Sequence, residues 1–290
     1  MLAAPEVIVI RNTPSSKPTT TKPTMTKPTM TKSLREDLRT VPSPVGTARD
    51  TRARAASRAA LAAVLWTRDG QRRLPRERAL VAALQACDER DVWWVCEACR
   101  AGPVYLLPTR EWIEHLARQL DTWKAKTVVE VAAGDGFLSA CLRAARPRLR
   151  VHATDDFSWT QAKRRMTSRD RSEFRGVAFS GIRPSAQTEQ ITARAAVEKY
   201  RPDVVLVSWA PPGTLVERVI RGPCLRVVDI SVDGDVCGNG MRTWRFHKEF
   251  LEGPLEDRAL CRLDARPRAQ RHTRVTAYYG KGHPEFDSSD

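Results

Sequence analysis

One stretch of the chain carries residue types at a spacing that can hold a nucleoside. It reads Thr127-Val-Val-Glu130-Val-Ala132-Ala-Gly134-Asp135-Gly136-Phe-Leu-Ser139, and a second apolar run, Leu149 to Ala153, then ends at Thr154-Asp155-Asp156. Glycines directly after a buried strand let the backbone come close to a ligand, and a carboxylate at the tip of the next strand can accept both hydroxyls of a ribose. Glu130 narrows the choice of ligand. A dinucleotide fold rests a pyrophosphate on the helix N-terminus, and Gly134-x-Gly136-x-x-Ser139 could be read in that way. A carboxylate four positions before Gly134 would repel a pyrophosphate, whereas it suits a ligand carrying an amino group and a positive sulfonium.

These residues resemble motif I of the class I S-adenosylmethionine-dependent methyltransferases, acidic-x-Gly-x-Gly-x-Gly. Here the motif stands as Glu130-Val-Ala132-Ala-Gly134-Asp135-Gly136, with Ala132 in place of the first glycine. The resemblance implies a methyltransferase with S-adenosylmethionine as cofactor. Glu130, Ala132, Gly134, Asp135 and Gly136 would surround its methionine part and Asp155 its ribose, with Asp156 as the alternative register. It also implies an α/β fold, a Rossmann-like doubly wound seven-stranded sheet with an antiparallel last strand.

A sheet must carry such a site, and the hydrophobic pattern supplies candidate elements. Pro108 and Thr109 start a helix to Trp123, whose stripe is Trp112, Ile113, Leu116, Ala117, Leu120 and Trp123. A helix follows Gly136 and stops at Pro147; residues 193–200 form another, and Asp203 to Ser208 is a continuous apolar run of the kind buried in a parallel sheet. Beyond it, the pattern predicts a helix from Thr214 to Arg221, a strand from Leu225 to Ser231 and a helix around Met241 to Leu251. A closing hairpin of Ala259 to Leu263 with Arg274 to Tyr279 completes the count. The strand after Asp156 is either Gly176 to Ser180 or Glu189 to Thr192. Upstream, 51–65 and Arg76 to Ala86 are helical candidates. The chain thus divides into a tail (1–50), a helical extension with a Cys-rich segment (51–104) and a methyltransferase-like domain (105–290).

In an open parallel sheet, ligands sit at the carboxyl ends of the strands where the order reverses. That puts Gly134, Asp155, Ser208 to Pro212 and the loop from Asp233 to Asn239 on one rim. Ser208-Trp209-Ala210-Pro211-Pro212 stands where amino-directed members of the family carry Asn/Asp/Ser-Pro-Pro-aromatic. Ala210 cannot accept a hydrogen bond and Gly213 cannot stack on a base, so a nucleobase amine is not implied. Ser208, Trp209, Pro211 and Pro212 are the substrate-binding candidates. Asp233, Asp235 and His247 are candidates for a base by position, and Asp233 is preferred for orienting the acceptor. An aromatic and acidic rim favours a small molecule or a protein side chain over RNA.

Composition bounds the alternatives. The 290 residues are 41% hydrophobic and 29% charged, enough for a real core. Lys and Arg outnumber Asp and Glu by 49 to 34, but residues 1–73 carry 14 of the basic and five of the acidic residues, so the folded part is only mildly basic. Lys17-Pro, Lys22-Pro and Lys27-Pro recur every five residues, which forbids a helix and offers nothing to bury, so the tail reads as disordered. It is a solvated linker or a tether for RNA. The rival functions are a methyltransferase-fold RNA-binding protein without catalysis and an NAD-dependent oxidoreductase. No apolar run is long enough for a membrane and the start does not read as a signal peptide, so a cytoplasmic protein is expected.

Seven cysteines, an odd number, point to reduced thiols. Cys87, Cys96 and Cys99 contain one CxxC pair, and a closed zinc site would need His115 or a distant thiol as a fourth ligand, so buried thiols and no metal are expected. Arg143 to Arg150 and Lys163 to Arg175 could meet phosphates or form a solvated face.

Overall fold

The computed structural model describes residues 48–98, 103–158, 184–210, 214–232, 237, 243–264 and 273–286. The tail at 1–47, the strand option Gly176 to Ser180 and the basic stretch Lys163 to Arg175 lie outside the described residues.

Five strands, β1 (Thr127–Val131), β2 (Arg150–Asp155), β3 (Thr188–Gln190), β4 (Val204–Ser208) and β5 (Arg226–Val232), run parallel. β6 (Lys248–Phe250) and β7 (Thr273–Tyr279) complete a sheet of order β3-β2-β1-β4-β5-β7-β6 in which β7 is antiparallel to β5 and to β6. This is the seven-stranded sheet with a reversed last strand that the resemblance implied. The order turns back between β1 and β4, which makes their carboxyl ends the switch point.

The central strands read as unbroken valine-rich runs because both faces are covered. Val128, Val204, Leu206, Val228 and Ile230 pack with α4 (Arg110–Thr122) and α5 (Phe137–Ala145), while Val129, Val131, Val205, Val207 and Val227 pack with α6 (Ala193–Tyr200) and α7 (Leu215–Ile220). Thr109 caps α4 by accepting from the Trp112 amide at 3.2 Å. The Trp112 indole N–H donates to the Leu255 carbonyl of α8 (Pro254–Asp257) at 2.8 Å.

Ahead of the sheet, α1 (Ala48–Leu65), α2 (Glu77–Gln85) and α3 (Glu89–Ala98) bury Leu61, Leu65, Leu80, Leu84, Val92 and Val95 against Val104, Leu107 and Leu260. Burial pushes the Asp91 carboxyl up, but hydrogen bonds from Arg54 and Arg58 outweigh it and hold the group below the usual carboxylate range. The strap leading from this extension is zipped to the sheet domain: Leu107 N–H donates to Leu260 O at 2.8 Å and Arg262 N–H to Tyr105 O at 2.9 Å. No helix among the described residues is long and apolar enough to cross a membrane.

Two expectations near the C-terminus are overturned. Of the helix expected around Met241 to Leu251, the described residues after Thr243 are not helical and supply edge strand β6. Among its described residues Phe246 and Leu251 are buried, but Phe250, four positions after Phe246, faces solvent together with Trp244, so no helical stripe forms. Correspondingly, Ala259 to Leu263 is not the hairpin partner of β7. It follows the short turn of α8, started by Pro254 after the left-handed Gly253, and makes one isolated bridge, Cys261 with Leu106.

Candidate functional site

The turn after β1 is built from left-handed residues. Ala132 has φ 52°, Gly134 57° and Gly136 70°. At Gly136 there is no room for a side chain, since a Cβ would lie 2.5 Å from Thr188 Oγ1 and 3.3 Å from Ala153 Cβ. Ala132, where the family has glycine, accepts the left-handed conformation at a cost of about 1–2 kcal/mol.

Protein carboxylates claim the N–H groups exposed by this turn. Glu130 Oε2 accepts from the Ser139 amide at 3.0 Å and from its hydroxyl at 2.6 Å, and Asp135 Oδ1 accepts from the Phe137 amide at 3.1 Å. Two acidic side chains therefore occupy the N-terminus of α5, where a pyrophosphate would have to sit. Glu130 is buried; desolvation pushes its pKa up to about 7, although the Ser139 bonds pull it the other way. Asp155 is buried too and works as a brace: Oδ2 accepts from Gly134 N–H at 2.9 Å and Oδ1 from Phe157 N–H at 2.8 Å. Burial raises its pKa against those two bonds. Asp156 is the exposed carboxylate at this tip, with Oδ1 accepting from Ser158 N–H.

The cleft above the turn is walled by Arg72, Glu130, Gly134, Asp135, Ser208 and Trp209, together with Val104 to Leu106 of the strap. Arg72 comes from the tight turn after α1, donates to Asp135 Oδ2 at 2.9 Å, and lies 4.0 Å over the Phe137 ring. Across the cleft, Trp209 adopts φ 53° directly after β4 and stacks on Tyr105 with centroids 5.2 Å apart. Its indole N–H is sealed from solvent without a hydrogen-bond partner. Behind Tyr105 lies the buried pair Arg262 and Glu97, 2.6 Å apart, with the guanidinium 5.0 Å over the Tyr105 ring. Burial and the Glu97 charge push the Tyr105 phenol up to about 12, so it stays protonated at neutral pH.

The sequence-derived candidates thus divide. Glu130, Ala132, Gly134, Asp135, Ser208 and Trp209 border one cleft; Gly136 and Asp155 shape its floor from behind. His247 does not join them. It is exposed, lies within 3.3 Å of the Glu285 carbonyl, and stacks on Tyr279, which pairs with Arg226 at the amino end of β5. The cleft lies at the opposite, carboxyl end. Pro211, Pro212, Asp233 and Asp235 fall outside the described residues.

Sequence reasoning passed over three groups. Arg72 and Tyr105 belong to turns of the extension with no periodic signature. Asp229, on β5 between Val207 of β4 and Thr276 of β7, is buried with Oδ1 lacking a partner, and desolvation pushes it up to about 7. Its position inside an apolar strand run was the available signal.

Three arginines of the stretch Arg143 to Arg150 are spent internally: Arg143 donates to Val151 O and Gln187, Arg146 to Glu114 and Asp121, and Arg150 to Thr127, while Arg148 is exposed. Cys87 and Cys96 are buried, Cys99 lies outside the described residues, and no cluster of three metal-ligating side chains occurs among those described.

No family model matches the chain, and no curated protein matches it in sequence. Solved structures do resemble it. An S-adenosylmethionine-dependent O-methyltransferase of Thermotoga maritima is 16% identical with TM-score 0.34, over 58% of this chain and 64% of its own, so the chain spans less than two thirds of that protein. The methyltransferase domain of bacterial CtHen1 is 11% identical with TM-score 0.36, over 59% of this chain and 98% of its own. An rRNA methylase of Escherichia coli is 10% identical with TM-score 0.30, over 86% and 82%. Identities and TM-scores at this level transfer no activity to this chain.

Proposed function

We propose that the chain is an S-adenosylmethionine-dependent methyltransferase. The observation that carries this reading is the pair of carboxylates, Glu130 and Asp135, on the N-terminus of α5 beneath the glycine turn. They work against a phosphate-bearing dinucleotide and suit a ligand with an ammonium and a sulfonium. The donor set fits such a group, with two acids and one cation, Arg72, around the same cleft.

S-adenosylmethionine, when bound, supplies a methyl carbon activated by a positive sulfonium. In this reading Glu130, Ala132, Gly134, Asp135 and Gly136 form the floor and wall for its amino-acid part. Asp155 holds the turn in shape, and Asp156 or Asp155 accepts the ribose hydroxyls. Methyl transfer asks the protein chiefly to align nucleophile and methyl carbon. Ser208 and the Tyr105–Trp209 stack form the acceptor wall. Asp233 and Asp235 are proposed to orient the acceptor or take its proton. A small molecule or protein side chain is favoured over RNA, since the rim is aromatic and acidic and Arg143, Arg146 and Arg150 are engaged within the protein.

Calorimetry with S-adenosylmethionine, S-adenosylhomocysteine and NAD tests the cofactor: both sulfur nucleosides should bind, and binding of NAD alone would overturn the reading. Incubation with tritiated-methyl cofactor and fractionated cell extract tests the acceptor. Label should enter small molecules or protein, and label confined to RNA would reverse that preference.

A further inference from the structure

We propose that Arg72 binds the α-carboxylate of the cofactor's amino-acid end, so that the N-terminal extension completes the cofactor site; this rests on the methyltransferase reading. The amino-acid end is a zwitterion. Its ammonium can meet Glu130, whose Oε1 takes no hydrogen bond from the described residues, or Asp135. Its carboxylate needs donors, and three of the backbone donors at the turn are already used: Gly134 N–H by Asp155, Phe137 N–H by Asp135 and Ser139 N–H by Glu130. Among the described residues walling the cleft, Arg72 is the one cation.

Its side chain is held ready for the task. The backbone bridges Trp66, and the turn is closed by Thr67 N–H to Gln71 O and Arg73 N–H to Leu65 O, each at 2.9 Å. The side chain is 11% exposed, and its guanidinium lies 4.0 Å from the Phe137 ring centroid. It spends one N–H on Asp135 and one, at 3.4 Å, on Leu106 O, which leaves three of its five N–H groups for a ligand. A fork of donors fixed over an aromatic ring matches a carboxylate in shape as well as charge. The competing role for Arg72 is purely structural: neutralising Asp135 and pinning the extension to the turn.

Two ligands that differ only in the carboxylate separate these roles. Calorimetry should use S-adenosylmethionine and its decarboxylated analogue, on the full chain and on Arg72→Gln and Arg72→Lys. The unsubstituted protein should favour S-adenosylmethionine roughly 10- to 100-fold, as hydrogen bonds to a charged group warrant. Arg72→Gln should bring that ratio close to one by weakening S-adenosylmethionine alone, and Arg72→Lys should keep part of it. Because the ratio is taken within each variant, a general loss of stability cancels. Equal weakening of both ligands in Arg72→Gln, with the ratio kept, would show the structural role and overturn the assignment of Arg72 while leaving the cofactor reading intact. If the unsubstituted protein bound neither ligand, both the cofactor reading and this inference would fall.

Discussion

The turns after β1 and β4 border the same cleft and are built in opposite ways. After β1, three left-handed residues expose N–H groups, and protein carboxylates from Asp155, Asp135 and Glu130 take them up. After β4, the left-handed residue is a tryptophan, whose indole N–H is buried without a partner. Next to it, β5 carries the buried Asp229, again with an unsatisfied oxygen. Leaving a buried polar group unpaired costs about 1–3 kcal/mol. The β1 side is therefore a finished frame, stable without a ligand, whereas the β4 and β5 side keeps unmet hydrogen-bonding capacity among the described residues. The two buried carboxyls make the same point. Burial pushes both up to about 7, but Glu130 has the Ser139 amide and hydroxyl as donors and Asp229 keeps an oxygen with none.

The contrast can be broken most forcefully at Gly136. Valine there must adopt φ near 70° with its Cβ inside contact distance of Thr188, and strain and overpacking together should cost about 2–5 kcal/mol. Denaturant unfolding would register the loss; a midpoint equal to the parent's would mean the frame is less rigid than described.

Asp229→Asn acts in the other direction. Folding raises the Asp229 pKa from 3.8 to about 7, so the folded state holds its proton more tightly than the unfolded chain. The associated stability is present below about pH 4 and is lost as the pH climbs toward 7. Asparagine cannot ionise, so the variant should gain about 2–4 kcal/mol on the parent between pH 5 and pH 8. Thermal melts at those two values suffice, and a parallel pH dependence in parent and variant would show that Asp229 does not titrate in this window.

Trp209→Phe keeps a ring against Tyr105 and deletes the orphan donor. The unliganded protein should become about 1–2 kcal/mol more stable while methyl transfer falls. Loss of stability would indicate that the indole N–H already has a partner. The smallest effect belongs to Ala132→Gly, which relieves a left-handed alanine and should add about 0.5–1 kcal/mol; a decrease would place the strain elsewhere.

Strand, glycine turn, helix and strand from Thr127 to Asp155 were legible because each signal is local: an apolar run of strand length, residues that tolerate positive φ, then a 3.6-residue stripe. The seven-stranded sheet and its reversed last strand were implied by the resemblance of Glu130 to Gly136 to motif I, not by the alternation of such runs, which misplaced the partner of β7. β6 was not legible, because an edge strand of three residues with little burial leaves no periodic trace. Nor was the work done by Asp155 and Glu130. Both were identified as polar residues at a ligand site, yet sequence carries no information on which amide each carboxylate will meet.

The sequence alone determined where the glycine turn after β1 must stand, since backbone conformation and burial are written in neighbouring residues. Only the tertiary structure decided what surrounds that turn. It brought Arg72 within 2.9 Å of Asp135 across 63 positions, laid Tyr105 on Trp209, and carried His247 to the far end of the sheet. Those contacts arise from the packing of whole elements, and a single charged or aromatic residue on a turn has no pattern of its own to announce its partner.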